Sequence, residues 1–157
     1  MARKNMATKK NSKVSKTEDG RIILPEGYSP SKDEPFMNEL QLEYFRQKLL
    51  NWKAEILEAT KETIQHLQDD SEKHPDITDR ATSETDRSLE LRTRDRQRKL
   101  ISKIDEAIVR IDQGEYGYCE ESGEPIGVAR LNARPIATLS LEAQERHEQR
   151  ERVFKDS

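Results

Sequence analysis

Five carboxylates crowd one stretch of this chain, Asp69, Asp70, Glu72, Asp76 and Asp79, a span of about three helical turns. Carboxylates carried on the end of a thin arm can enter a deep channel and meet a metal ion or a basic loop there. Composition alone favours the plainer alternative, a polar turn wetted by solvent. A second group is cationic: Arg92, Arg96, Lys99 and Lys103 recur at spacings of 4, 3 and 4, so a helix puts all four on one face. Such a face suits an anionic surface or a nucleotide. It equally suits a solvated coiled-coil flank with pairs inside the helix, the reading the residues alone favour. The third group is defined by what it lacks. Cys119-Glu-Glu-Ser122 and Ser140-Leu-Glu-Ala143 have the frame of two C-x-x-C pairs, but Cys119 is the single cysteine in the chain. Structural zinc takes four nitrogen or sulfur ligands, and His66, His74 and His147 are too scattered to replace the missing thiols. No Ser/His/Asp grouping, phosphate loop or dinucleotide fingerprint occurs. The residues therefore point to a chain that works by contact and carries no active site of its own.

The elements that must position these groups are helices. Asn38 is a good N-cap, with Gln41 at the third helical position and Met37 and Leu42 placed as a hydrophobic staple. From there Leu42, Phe45, Leu49, Trp52, Ile56, Ala59 and Thr63 follow the alternating 3,4 spacing of a coiled-coil seam. The spacing predicts a first helix up to a turn at residues 71–80, which contains Pro75. A second helix is predicted from about Ala81 to Gln113, with Leu89, Thr93, Arg96, Leu100, Ala107 and Ile111 on its seam and Gly114 as C-cap. Two long helices joined by a short turn pack antiparallel. Residues 92–99 hold no apolar side chain, so the seam there depends on long aliphatic stems or on a partner.

The chain divides into three parts on this reading: residues 1–35, a disordered basic tail and linker; 36–113, the hairpin with its tip at about 71–81; and 114–157, a small knuckle followed by a charged helix opened by Ser140. The tail carries Arg3, Lys4, Lys9, Lys10, Lys13 and Lys16 with no acidic residue before Glu18, and no aromatic residue to stack on bases. Of the 157 residues 38% are charged and 32% hydrophobic, a balance suited to an elongated hairpin that buries one stripe and leaves the rest wet. The net charge of -3 argues against a polyelectrolyte binder of nucleic acid, so any such contact is local. Apolar runs such as Ile22-Ile23-Leu24 are far shorter than the ~20 residues of a membrane span or a secretory signal core. A lone cysteine is consistent with a reducing, cytoplasmic setting.

Beginning at Met37-Asn38-Glu39, the chain resembles the DksA/TraR family of bacterial RNA polymerase-binding transcription factors, and four further segments carry the likeness. They are Asp76-Ile-Thr-Asp79-Arg80-Ala81, the run from Leu89 to Leu100, Gly117-Tyr-Cys119, and Arg130-Leu-Asn-Ala-Arg134-Pro135, within a likeness covering roughly residues 36–150. The resemblance implies a mainly α fold, a long antiparallel coiled-coil hairpin with a degenerate zinc-finger-like part and a C-terminal helix. It implies a monomer that binds RNA polymerase without binding DNA, inserts its coiled coil through the secondary channel, and modulates initiation with ppGpp in the stringent response. On that resemblance Asp76, Asp79 and Ala81 match the functional tip, which reverses the plain reading of the acids. Leu100, Lys103 and Arg134 match positions of the ppGpp site, Gln144 stands where a basic residue would serve the nucleotide, and Arg96 and Arg130 match polymerase contacts. The zinc positions correspond to Cys119, Ser122, Ser140 and Ala143, so a zinc-independent variant is expected, its knuckle held by Tyr118, Ile126, Leu131 and Leu139. Two rival functions stand beside this one: a transcript-cleavage factor whose tip acids help hold a catalytic metal, and a generic coiled-coil adaptor.

Overall fold

In the computed structural model of the chain, the structure describes residues 14–71 and 77–156, with the side chains of 67, 70, 71 and 77–80 left aside. Four helices follow in order: α1 Glu39–Ser71, α2 Ile77–Gln113, α3 Val128–Ala133 and α4 Leu141–Lys155.

The start of α1 is fixed by reciprocal side-chain bonds. The Gln41 N–H donates to Asn38 Oδ1 at 2.8 Å, and Gln41 Oε1 accepts from the Met37 N–H at 2.8 Å. This is the capping-box logic of satisfying otherwise orphaned donors, shifted so that the returning amide serves Met37 rather than the cap itself. Gln41 is fully buried, and its amide also donates to the Ser31 carbonyl and to Glu34. Glu34 in turn accepts from the Tyr28 hydroxyl at 2.7 Å, and burial together with that carboxylate pushes the phenol well above its usual range. The N-terminal linker is thereby strapped to the base of α1, although its described backbone holds no regular strand, only turns and an isolated antiparallel bridge, Lys16 to Ile22.

Helices α1 and α2 pack against each other along the hairpin, and at 1.5 Å per residue they run about 50 and 55 Å. Helix α2 begins at Ile77, four residues before the predicted Ala81. The predicted seam of α2 also needs correction. Leu89, Thr93 and Arg96 are exposed, Leu89 by 54%, and Leu100 is half-buried at the margin. In the outer half the observed stripe runs one residue later, through Glu90, Arg94, Gln97 and Ile101, and toward the base it takes in Ile104, Ile108 and the predicted Ala107 and Ile111, both buried as expected. Ile104 is fully buried and Ile111 nearly so, and stepping back from them by threes and fours lands on those polar residues. On α1, Phe45, Leu49, Trp52 and Ile56 lie inward as expected, whereas Ala59 is exposed and Thr60 takes the place facing α2. Thr60 bonds the side-chain oxygen of Gln97 at 2.8 Å. The frame was obscured because its distal half is written in polar residues whose stems do the packing.

The core sits at the base of the hairpin, where Phe45, Leu49, Ile104 and Ala107 meet Tyr116, Cys119, Leu131 and Ala143 from the knuckle and α4. Gly114, at φ 75°, ends α2 as predicted. Tyr116 is almost fully buried and donates its hydroxyl to the Pro135 carbonyl at 2.7 Å. Of the residues expected to hold the knuckle, Ile126 and Leu131 are buried and Leu139 is half-buried, while Tyr118 is 40% exposed and stacks edge-on with Phe36.

Candidate functional site

The base of α2, the start of α4 and the segment after α3 enclose a cleft of about 240 Å³. Lys103, Arg134 and Gln144 all reach it, from α2, the C-cap of α3 and α4 respectively, and Arg130 joins them from α3. Three predicted nucleotide residues and one predicted polymerase contact, separated by up to 41 residues in sequence, are thus assembled in one place. The wall also carries Glu106, Arg110 and Glu120, which the sequence analysis did not nominate. Glu106 and Arg110 continue the spacing of Lys103 by 3 and 4, a signal that was available. Glu120, on the knuckle, has no sequence periodicity that could have revealed it.

The charges in the cleft are not equivalent. Arg110 pairs with Glu120 at 3.2 Å, leaving Lys103, Arg130 and Arg134 against Glu106. Arg130 is oriented from behind, its Nε donating to the Leu139 carbonyl at 3.0 Å. Gln144 is neutral and its amide donates to Glu148 at 3.2 Å. A polyanion entering here meets a net positive wall with one guanidinium already aimed. Leu100 does not line the cleft: it packs against the core about one helical turn from Lys103.

Arg96 lies seven residues before Lys103 on α2, hence two turns or about 10 Å along the same face. It is exposed and extends the basic surface of the cleft onto the arm. Exposed leucines accompany it, Leu50 and Leu57 on α1 and Leu89 and Leu91 on α2. Toward the tip, Ala81 is exposed in the second turn of α2. Asp79 lies in the first turn of that helix, with its side chain among those left aside, and Asp76 lies outside the described residues.

The four degenerate zinc positions converge. Cys119 is buried, and Ser122 and Ser140 both direct bonds at its sulfur. Burial pushes the thiol up, but the Ser122 hydroxyl and the backbone N–H groups of Ser140, Ser122 and Glu121 outweigh it and bring the value down to about 6. These donors compensate a thiolate in the way a metal would. Ser140 spends its oxygen on the N-cap of α4, accepting from the Ala143 N–H at 3.3 Å, and Ala143 contributes a fully buried methyl group. One sulfur, two hydroxyls and a methyl do not make a tetrahedral zinc site. The knuckle therefore brings the four positions together with a donor set that does not fit the ion.

The helical arm is anchored to this knuckle by Asn132 in α3. Its side-chain and backbone oxygens both accept from Lys48 Nζ at 2.7 Å, and its side chain also accepts from the Tyr44 hydroxyl. No helix of the described residues is long and apolar enough to cross a membrane.

Comparison with known proteins fits this architecture. Residues 41–111 match the N-terminal domain of DnaK suppressor protein DksA, and residues 114–149 match the prokaryotic dksA/traR C4-type zinc finger. A protein described as RNA polymerase-binding transcription factor DksA from Caulobacter vibrioides is 70% identical over 135 residues, covering 86% of this chain and 95% of that one. Its Escherichia coli K12 counterpart is 40% identical over 140 residues, covering 87% and 93%. Among solved structures, transcription factor DksA2 from Pseudomonas aeruginosa aligns at a TM-score of 0.71 with 43% identity, over 76% of this chain and 95% of that one. The helical hairpin, the knuckle and the extent of these matches establish that the chain belongs to the DksA family.

Proposed function

We propose that this chain is a noncatalytic regulator that binds RNA polymerase, without contacting DNA, and modulates transcription initiation together with ppGpp. The observation that carries the reading is the convergence of Lys103, Arg130, Arg134 and Gln144 on one basic cleft at the foot of a long, thin arm. The relatives it resembles over most of their length are described as RNA polymerase-binding transcription factors. In this reading the arm enters the polymerase through the secondary channel, and Asp76, Asp79 and Ala81 act at its tip near the catalytic centre.

The cleft, at about 240 Å³, is too small to enclose a nucleotide alone, so its cations serve as one wall and the polymerase supplies the other. Arg96 and Arg130 hold the polymerase at the edge of that wall. A ligand shared in this way links two equilibria: ppGpp raises the affinity of the factor for polymerase by the same factor that the bound factor raises affinity for ppGpp. Gln144 offers hydrogen bonds but no charge, which forgoes roughly 1.5 to 3 kcal/mol of charge-assisted bonding relative to a basic residue. Synergy is correspondingly modest, and Gln144→Lys strengthens it. Neither zinc nor another cofactor is needed, and the chain acts in the cytoplasm as a monomer.

The test is initiation from a ribosomal RNA promoter by purified cognate polymerase, with and without ppGpp, in the presence of a zinc chelator. Wild type inhibits despite the chelator, and Asp76→Asn/Asp79→Asn abolishes inhibition while retaining polymerase binding. Equal inertness of both proteins, each still bound, would remove the tip from the mechanism. Stimulation of RNA cleavage in backtracked complexes, lost on Asp76→Asn, would replace the reading by a cleavage factor.

A further inference from the structure

On the other side of Arg130 and Arg134 from the basic cleft lies a second, larger depression of about 610 Å³ between the N-terminal strap and α3. Its volume is in the ~300–1,000 Å³ range of pockets that enclose a ligand group. The floor is apolar, formed by Phe36, Ile126 and Val128, and Leu141 stands at the lip with 58% of its surface exposed. The rim is cationic: Lys32 on the strap faces Arg130 and Arg134 on the helix side. The single rim carboxylate, Glu34, is committed to Tyr28 and Gln41. Because Arg130 and Arg134 line both depressions, the groove is continuous with the cleft assigned to polymerase and nucleotide.

We propose that this groove receives an apolar side chain carried on an acidic segment of RNA polymerase, a docking point away from the arm and adjoining the nucleotide cleft, with which it shares Arg130 and Arg134; this rests on the function proposed above. The apolar floor selects a hydrophobic anchor, and the three cations select carboxylates flanking it. Segments of the chain itself match poorly. The first sixteen residues carry six cations and no acid, and the exposed Val153 and Phe154 at the end of α4 sit among three cations, Arg150, Arg152 and Lys155, and two acids, Glu151 and Asp156, a net positive setting. Both would bring positive charge to a positive rim.

A photoreactive p-benzoylphenylalanine replacing Ala129, an exposed residue of the groove wall, tests the proposal in the full-length chain. After irradiation with purified cognate polymerase, it cross-links to a polymerase peptide in which acidic residues flank an apolar one. A second measurement reads affinity: Ala133→Glu/Leu141→Glu binds polymerase about tenfold more weakly than wild type with unchanged circular dichroism, as expected when a desolvated anchor is blocked and the rim charge is reversed. A probe replacing Thr93, exposed on the arm about one turn from Arg96, separates the failures. If it cross-links to polymerase while the Ala129 probe does not, or if the double variant binds within twofold of wild type, the groove proposal falls and the polymerase reading stands. If neither probe reaches polymerase, both fall, and cross-linking of Ala129 to a second copy of the chain would identify the groove as a self-association surface instead.

Discussion

The two halves of the hairpin are built on opposite principles. Near the base, α1 and α2 meet through Phe45, Leu49, Ile104 and Ala107, all fully buried and continuous with the knuckle core. Farther out the same helices meet through Thr60, Glu90, Arg94 and Gln97. Among the described residues three buried side-chain atoms lack a hydrogen-bond partner, Glu90 Oε2 and Arg94 Nε in this outer part and Arg46 Nε nearer the base, each at a cost of about 1–3 kcal/mol. The base is therefore where folding free energy is concentrated, and the outer arm is held in line by it. A thin arm that must enter a partner gains from this division. Polar stems and exposed leucines remain available for contact, while an apolar seam would demand burial of its own.

The largest expected effect lies at the base. Phe45→Ala removes a fully buried ring and costs about 3–5 kcal/mol, read by urea denaturation as a shifted midpoint at constant slope. A loss below 1 kcal/mol would break the distinction between the halves.

Gly117→Ala comes next. Gly117 sits at φ 94°, and a Cβ there would lie 2.9 Å from Cγ and Sδ of Met37. The strained backbone costs about 1–3 kcal/mol, and the strap is displaced from the knuckle. Quenching or shift of the Tyr118 environment, which is stacked on Phe36, reports the displacement.

Cys119 supplies a pH signature confined to the base. Its folded value of about 6 lies below the usual value of 9.0. Between these limits the unfolded chain holds the proton and the folded chain does not, so stability rises with pH from about 6 to 9, by at most ~1.4 kcal/mol per pH unit. Below about 6 the contribution is gone. Denaturation of wild type and Cys119→Ala across this window separates the slope from any constant loss caused by the substitution, and parallel curves would discard the thiolate.

The smallest effect is expected in the outer arm. Thr60→Val/Gln97→Leu exchanges a hydrogen-bonded pair for an apolar one and leaves stability within about 1 kcal/mol of wild type. Hydrogen exchange sharpens the same contrast: amides of α1 and α2 beyond Ile56 and Gln97 exchange through local opening at lower free energy than those around Leu49 and Ile104.

Much of this architecture was legible because its signals are local. The Asn38 and Ser140 caps, the Gly114 stop and the apolar repeat from Phe45 to Ile56 each depend on neighbours a few residues away, and each is found where the sequence puts it. The degeneracy of the four zinc positions is equally local, since a single cysteine stands among them whatever the fold does. The frame of α2 was not legible in its outer half. With no apolar residue from Arg92 to Lys99, periodicity had nothing to register, and extrapolation from Leu89 chose a stripe one residue too early.

The sequence by itself determined that two long helices pair, where they are capped, and that the knuckle has a single thiol to work with. Only the tertiary structure decided that Glu90, Arg94 and Gln97 face inward, that the strap closes on the knuckle through Phe36 and Met37, and that Lys103, Arg130, Arg134 and Gln144 share one wall. The physical reason is range. Caps and heptads are settled by hydrogen bonds and burial within one or two turns, whereas the cleft and its neighbouring groove exist only where α2, α3, α4 and the strap are brought together by a common core.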